Sequence, residues 1–313
     1  MSAIEILGLA KTYHVGFWRK KAKCALKPLH LSVADGEIFG FLGPNGAGKT
    51  TTLKLLMGLV FPSAGSANIL GMENTDPAVK AQIGFLPEQP YFYDYLTAPE
   101  LLEYYGQLSG VAPKERGRKI SEVLSRVGLH DVGNLQMRKF SKCMLQRVGI
   151  AQAILHDPKV LFLDEPMSGL DPVGRREVRD LMEELKQAGK TIFFSTHILS
   201  DAEALCDRVA IIHLGELRGV GAVADLTSSV EGKVEFVWRG NTLPAPLKSV
   251  VTEYHVSGDM VRALVPEHCQ EATLDALRRE RLPIISLTPV RTSLEDYFVN
   301  QLQPSQAAAG MKS

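Results

Sequence analysis

The stretch GPNGAGKT (43–50), directly after the apolar run EIFGFL (37–42) and directly before TTLKLLMGL (51–59), constrains this chain more than any other feature. G-x-x-x-x-G-K-[ST] between a strand and a helix is a phosphate-binding loop. Its glycines let successive backbone N–H groups turn inward around phosphate oxygens, and the helix N-terminus adds a favourable dipole. Four such fixed positions recur by chance in about one in 100 chains of this length. The flanking strand and helix make coincidence rarer still. Gly43, Pro44, Asn45, Gly46, Ala47, Gly48, Lys49, Thr50 and Thr51 are therefore the expected nucleotide-binding residues. Lys49 is expected to reach the terminal phosphates and Thr50 to ligate Mg²⁺.

Short β-like runs (AIEIL, EIFGFL, IGFLP, VLFLDE, TIFFST, VAIIH) alternate with helical stretches, which predicts an α/β fold around a largely parallel sheet. Between about 91 and 155 the β pattern lapses into three helical segments, read as a helical insert. VLFLDEP (160–166) is a buried strand ending in two carboxylates. Alone it reads as a strand running into a solvated turn. Beside a phosphate loop, Asp164 is placed to hold Mg²⁺ and Glu165 to polarise an attacking water.

With these two motifs, Gln89 in FLPEQP, the segment FSKCMLQR (140–147), SGLD (168–171) and STH (195–197) follow in an order that resembles the ATP-binding subunit of ABC transporters over about residues 3–226. The resemblance implies a P-loop NTPase with an ABC-type helical insert and an N-terminal antiparallel β subdomain. It also implies that Tyr13 stacks on adenine, that Gln89 couples Mg²⁺ and the attacking water to a membrane partner, that Asp171 lines a dimer contact and that His197 braces the γ-phosphate. Read singly, Gln89 is a surface glutamine between prolines, His197 a hydrogen-bonded strand-end histidine and Tyr13 a core aromatic. Two such ATPases are expected to pack head to tail, as a homo- or heterodimer, with ATP held between one phosphate loop and the other chain's signature helix.

The signature segment departs from the family pattern Leu-Ser-Gly-Gly-Gln. Ser141 matches, but Phe140, Lys142, Cys143 and Met144 do not. The backbone N–H of Cys143 and the Ser141 hydroxyl are expected to reach the γ-phosphate held by the opposite chain. A cysteine puts a Cβ and a sulfur where glycine would allow close approach. Reduced activity is one expectation, and Cys143→Gly is expected to raise hydrolysis.

After Leu226 the texture changes to proline-punctuated short strands (VEFVW, MVRALV, IISLTPV) and one helix (CQEATLDALRRERL), predicting a small α+β accessory domain over 228–302 after the ATPase domain, 1–227. The ending TPVRTSLEDYF (288–298) is similar to accessory domains of bacterial exporter ATPases and points towards export. SQAAAGMKS (305–313), poor in bulky apolar residues, predicts a disordered tail over 303–313. HVGFWRKKAKC (14–24) mixes Phe17 and Trp18 with Arg19, Lys20, Lys21 and Lys23, and reads as a hairpin tip able to meet lipid headgroups or an acidic partner.

Lys plus Arg equals Asp plus Glu at 35 each, so no global field draws the chain to nucleic acid. No stretch approaches the roughly 18 apolar residues that span a bilayer, and the first residues lack a basic start with an apolar run and cleavage site. A cytoplasmic ATPase is expected, held at the membrane by permease subunits supplied in trans, with ATP and Mg²⁺ as cofactors. The four cysteines are widely spaced and read as reduced thiols. A soluble ABC-family ATPase and an ATP-gated clamp with weak hydrolysis are the competing readings.

Overall fold

The computed structural model describes residues 2–15, 21–132, 134–227, 232–290 and 293–302. Phe17, Trp18, Arg19 and Lys20 of the hairpin tip, Arg291 and Thr292, and the 303–313 tail lie outside the described residues. The chain divides into two compact units, Met1–Val223 and Ala224–Asn300.

In the first unit, β1 (Ser2–Val15) and β2 (Lys21–Ala34) pair antiparallel and are joined by β4 (Ala64–Ile69) and β5 (Met72–Glu73) in a sheet ordered β2-β1-β4-β5. AIEIL thus enters an antiparallel sheet, because a hairpin rather than a crossover helix links it to the next strand. A second sheet, ordered β10-β9-β3-β8-β7-β6, uses β3 (Ile38–Leu42), β6 (Ile83–Leu86), β7 (Val160–Asp164), β8 (Thr191–Thr196), β9 (Arg208–His213) and β10 (Glu216–Ala222). It is parallel apart from the β9–β10 pair.

Strands β3, β7 and β8 are buried at every residue, the pattern of parallel strands covered on both faces. Phe193 stacks on Phe39 at 5.6 Å and meets Phe162 at 5.8 Å, so the three central strands interlock through aromatic rings. The same core reaches into the antiparallel sheet through Ile4, Ile6, Leu29 and Val33, fixing β1 and β2 beside the helix that follows β3.

That helix is α1 (Lys49–Leu56), followed by α2 (Pro77–Lys80). The insert holds α3 (Ala98–Leu108), α4 (Pro113–Arg126) and α5 (Lys142–Ile154). Thr97 and Glu100 form a capping box at α3, and the Ser141 hydroxyl caps α5 by accepting from the Met144 N–H at 3.2 Å. Helix α5 lies directly on β6: a Cβ on Gly84 would run into the Ala153 carbonyl, and one on Gly149 into Leu86. The strand that delivers Gln89 is therefore packed tightly against the signature helix. Helices α6 (Pro172–Gln187) and α7 (Leu199–Leu205) follow β7 and β8.

The second unit begins in the short helix α8 (Val223–Leu226) and contains β11 (Lys233–Arg239), β12 (Glu253–Ser257), β13 (Met260–Pro266) and β14 (Ile284–Pro289). They form one antiparallel sheet ordered β12-β13-β11-β14. Helix α9 (Gln270–Arg279) contributes Ala276 and Leu277 to a core with Phe236, Trp238 and Val261. Helix α10 (Leu294–Leu302) starts at a reciprocal cap, Asp296 N–H to Ser293 Oγ at 3.1 Å and Ser293 N–H to Asp296 Oδ2 at 3.0 Å.

Candidate active site

The phosphate loop, the ends of β7 and β8 and the segment after β6 all sit at the C-terminal edge of the parallel sheet, where α/β folds place their ligands. Gly48, the N-cap of α1, has φ 115°, and a Cβ there would stand 2.6 Å from the Ala25 carbonyl. Only glycine lets the loop turn this close to β2.

Lys49, 6% exposed, donates to the Gly43 carbonyl at 2.7 Å and the Pro44 carbonyl at 3.4 Å. Its ammonium also lies 3.1 Å from Glu165 Oε1. The other Glu165 oxygen is 2.8 Å from His197 Nδ1. Burying a cation and a carboxylate costs several kcal/mol per ion unless further polar partners satisfy both. Here two loop carbonyls serve the ammonium and the imidazole serves the carboxylate. The buried pair is thus compensated by polar partners on both sides.

Glu165 has a left-handed backbone, φ 51°, one residue beyond β7. That conformation costs a non-glycine residue on the order of 1–3 kcal/mol and persists only where its surroundings fix it. The Glu165 N–H donates to the Ser195 carbonyl at 3.1 Å and to Ser195 Oγ at 3.2 Å. The Ser195 hydroxyl in turn donates to Asp164 Oδ1 at 2.5 Å. One serine thus orients the Asp164 carboxylate and pins the backbone that carries Glu165. In the sequence Ser195 stands out only as part of STH, with no role of its own, although a hydroxyl closing the run TIFF was the available signal.

Tyr13, Asn45, Gly46, Gly48, Lys49, Thr50, Thr51 and Glu165 line one cleft of about 450 Å³, with Lys23, Cys24 and Ala25 of β2 and Glu88 completing the wall. The Lys11 ammonium lies 5.1 Å from the Tyr13 ring centroid. A neighbouring cleft shares Thr50 and is lined by Gln89 and Asp164. Gly43 and Pro44 face the loop's interior through the carbonyls that hold Lys49, while Ala47 is buried and its carbonyl accepts from the Gly215 N–H at 2.9 Å.

Ser141, Cys143 and Asp171 line neither cleft, and Cys143 and Asp171 both lie against Gly174. Asp171 caps α6 by accepting from the Gly174 N–H at 2.8 Å. A Cβ on Gly174 would lie 3.0 Å from Cys143 Sγ, so the sulfur is turned onto the first turn of α6. The Lys142 ammonium lies over Gly169. Both side chains that replace signature glycines thus rest on the 168–174 segment. Behind them, the buried Gln146 amide donates to the Pro166 carbonyl at 3.0 Å, tying α5 to the residue after Glu165.

A phosphate loop whose lysine meets the carboxylate of Glu165 just beyond β7, on a parallel sheet flanked by an antiparallel sheet and a helical insert, defines a P-loop NTPase domain of the ABC ATPase type. The chain belongs to the ABC transporter ATP-binding proteins. The ABC transporter family profile matches residues 26–168. An uncharacterised ABC transporter ATP-binding protein of Synechocystis sp. is 44% identical over 96% of this chain and 85% of its own length. The bacitracin transport ATP-binding protein BcrA of Bacillus licheniformis is 39% identical over 87% of this chain and 90% of its own. Among solved structures, the dimeric ATP-binding cassette MJ0796 bound to ADP and Pi matches with a TM-score of 0.64 at 26% identity, covering 70% of this chain and 98% of that one.

Proposed function

We propose that this chain is the ATP-hydrolysing subunit of an exporter, working as a pair of ATPases beneath separate membrane permease subunits at the cytoplasmic face of a cell membrane. The contact that carries the reading is Lys49–Glu165–His197 under the phosphate loop, 3.1 Å and 2.8 Å long. Lys49 is positioned to meet a γ-phosphate, Glu165 to accept hydrogen-bonding from the attacking water, and His197 to steady both. A phosphate entering the loop competes with Glu165 for the Lys49 ammonium, so nucleotide occupancy and release of the catalytic carboxylate are linked.

Thr50, Gln89 and Asp164 present hydroxyl, amide and carboxylate oxygens to one cleft, a donor set that fits Mg²⁺, which takes few protein ligands and completes its shell with phosphate and water. Bound there, the ion would neutralise charge developing on the phosphates. Ser195 leaves Asp164 oriented for that task, and Tyr13, in the neighbouring cleft with the phosphate loop, supplies a face for the base. No described helix is long and apolar enough to cross a membrane, which fits a permease supplied in trans. The likeness to a protein named for bacitracin transport supports a transport role, and in a head-to-tail pair Ser141, Cys143 and Asp171 would face the partner ATPase.

The departures at Lys142, Cys143 and Met144 favour one second reading, an ATP-gated clamp with slow turnover. Steady-state ATPase assays of the purified chain, alone and with a membrane permease partner, separate the two. Turnover that depends on Glu165 and rises with the permease supports the transporter. Turnover that Glu165→Gln leaves intact sinks the assignment of the carboxylate.

A further inference from the structure

Asp201, on the first turn of α7, is a carboxylate that the nucleotide chemistry above does not use. Its side chain is 3% exposed, and Oδ2 is buried without a hydrogen-bond partner. Two arginines of α6 face it: Arg179 Nη1 lies 3.4 Å from Oδ1 and Arg175 Nη1 lies 3.9 Å from Oδ2. Arg175 has a second engagement, donating from Nε to the Leu170 carbonyl at 3.2 Å. Leu170 immediately precedes Asp171, the cap of α6.

On the other side, α7 starts two residues after His197, and the Ile198 N–H between them donates to Thr196 Oγ1 at 3.0 Å. Asp201 thus lies four residues along the chain from His197 and, across the 3.9 Å ion pair with Arg175, faces the residue that holds the loop carrying Asp171. The two segments flank Glu165 in the fold. Burial pushes the Asp201 carboxyl up from its ordinary range, Arg175 and Arg179 hold it down, and the charges of Glu165 and His197 are felt there too. A buried acid in this state is poorly chosen for stability alone.

We propose that Asp201 is a positioning residue for hydrolysis: through Arg175 it ties the turn bearing His197 to the 168–171 loop, so that the histidine and the partner-facing aspartate keep a fixed spacing around Glu165. The inference rests on the ATPase reading above. It assigns Arg175 a double role that lysine cannot fill, because only a guanidinium can hold the Leu170 carbonyl through one nitrogen and face a carboxylate with another.

The test is steady-state ATPase kinetics and thermal unfolding of the full chain. Asp201→Asn is expected to lower kcat about tenfold with KM moved less than about twofold, the signature of lost transition-state positioning, and to leave Tm unchanged or raised. Asp201→Glu is expected to recover most of the loss. Arg175→Lys is expected to match Asp201→Asn, and the double variant to lose no more than either single, because the two act as one unit. Wild-type kcat in Asp201→Asn overturns the proposal, as does a loss that tracks a lowered Tm and is not rescued by glutamate. A wild-type chain without Glu165-dependent turnover instead removes the ATPase reading, and this inference with it.

Discussion

The phosphate-loop half of the site and the signature half are built on different terms. Lys49, from the start of α1, and Asp164, Glu165 and His197, from the ends of β7 and β8, hold one another directly or through Ser195. The signature turn is instead carried on a helix start, and its distinctive side chains, Lys142 and Cys143, rest on the 168–174 segment of the same chain. The first half is fixed by buried polar bonds. The second is fixed by packing of residues that stand where the family has glycine, so substitutions should be severe in one and graded in the other.

The comparison breaks hardest at Glu165. Glu165→Gln keeps size and shape but removes the proposed base, and general-base removal is worth about 10²–10⁴-fold. The expected outcome is a kcat lowered by that order with nucleotide binding retained, read by turnover beside equilibrium binding of ATP. Comparable kcat in the variant would mean that the carboxylate only balances Lys49.

Ser195→Ala comes next. It strips Asp164 Oδ1 and the Glu165 N–H of a shared partner, although the Glu165 N–H keeps the Ser195 backbone carbonyl. Loss of such an outer partner typically costs about 10–100-fold in metal affinity, so the Mg²⁺ concentration for half-maximal turnover should rise by about tenfold. A magnesium titration checks it, and an unshifted midpoint would detach the serine from the metal function.

Much of the first half was legible in the sequence because each feature is local. A glycine-rich loop between strand and helix and an apolar run ending in Asp-Glu are spelled out within a few residues. Ser195 was missed because its importance lies across two strands, in the β7–β8 register that sets Asp164 beside it. Cys143 was legible as a departure, but not the direction of its sulfur, which depends on α6 packing against α5. In the second unit, β12 went unread: all five of its residues are exposed and EYHVS lacks the apolar run that marked its neighbours. An edge strand is defined by its pairing partner, and the sequence shows only the strand.

The smallest effect is expected at Cys143, where the signature half can be moved towards the family pattern. With Sγ seated against Gly174, the side chain already leans away from the helix axis, so only the Cβ adds bulk beside the backbone N–H that a partner's phosphate would approach. Removing it opens that approach, and also removes a packed group worth about 0.8 kcal/mol on the scale of a buried methylene. Cys143→Gly should therefore raise kcat by about two- to threefold, less than the tenfold that 1.4 kcal/mol would bring, with a slightly lowered Tm. Cys143→Ser retains the Cβ and separates the causes. If serine leaves turnover unchanged while glycine raises it, backbone approach limits the signature half. If both raise it equally, the sulfur's grip on α6 is the restraint. Turnover unaltered in both would place the departure from glycine outside the rate-limiting step.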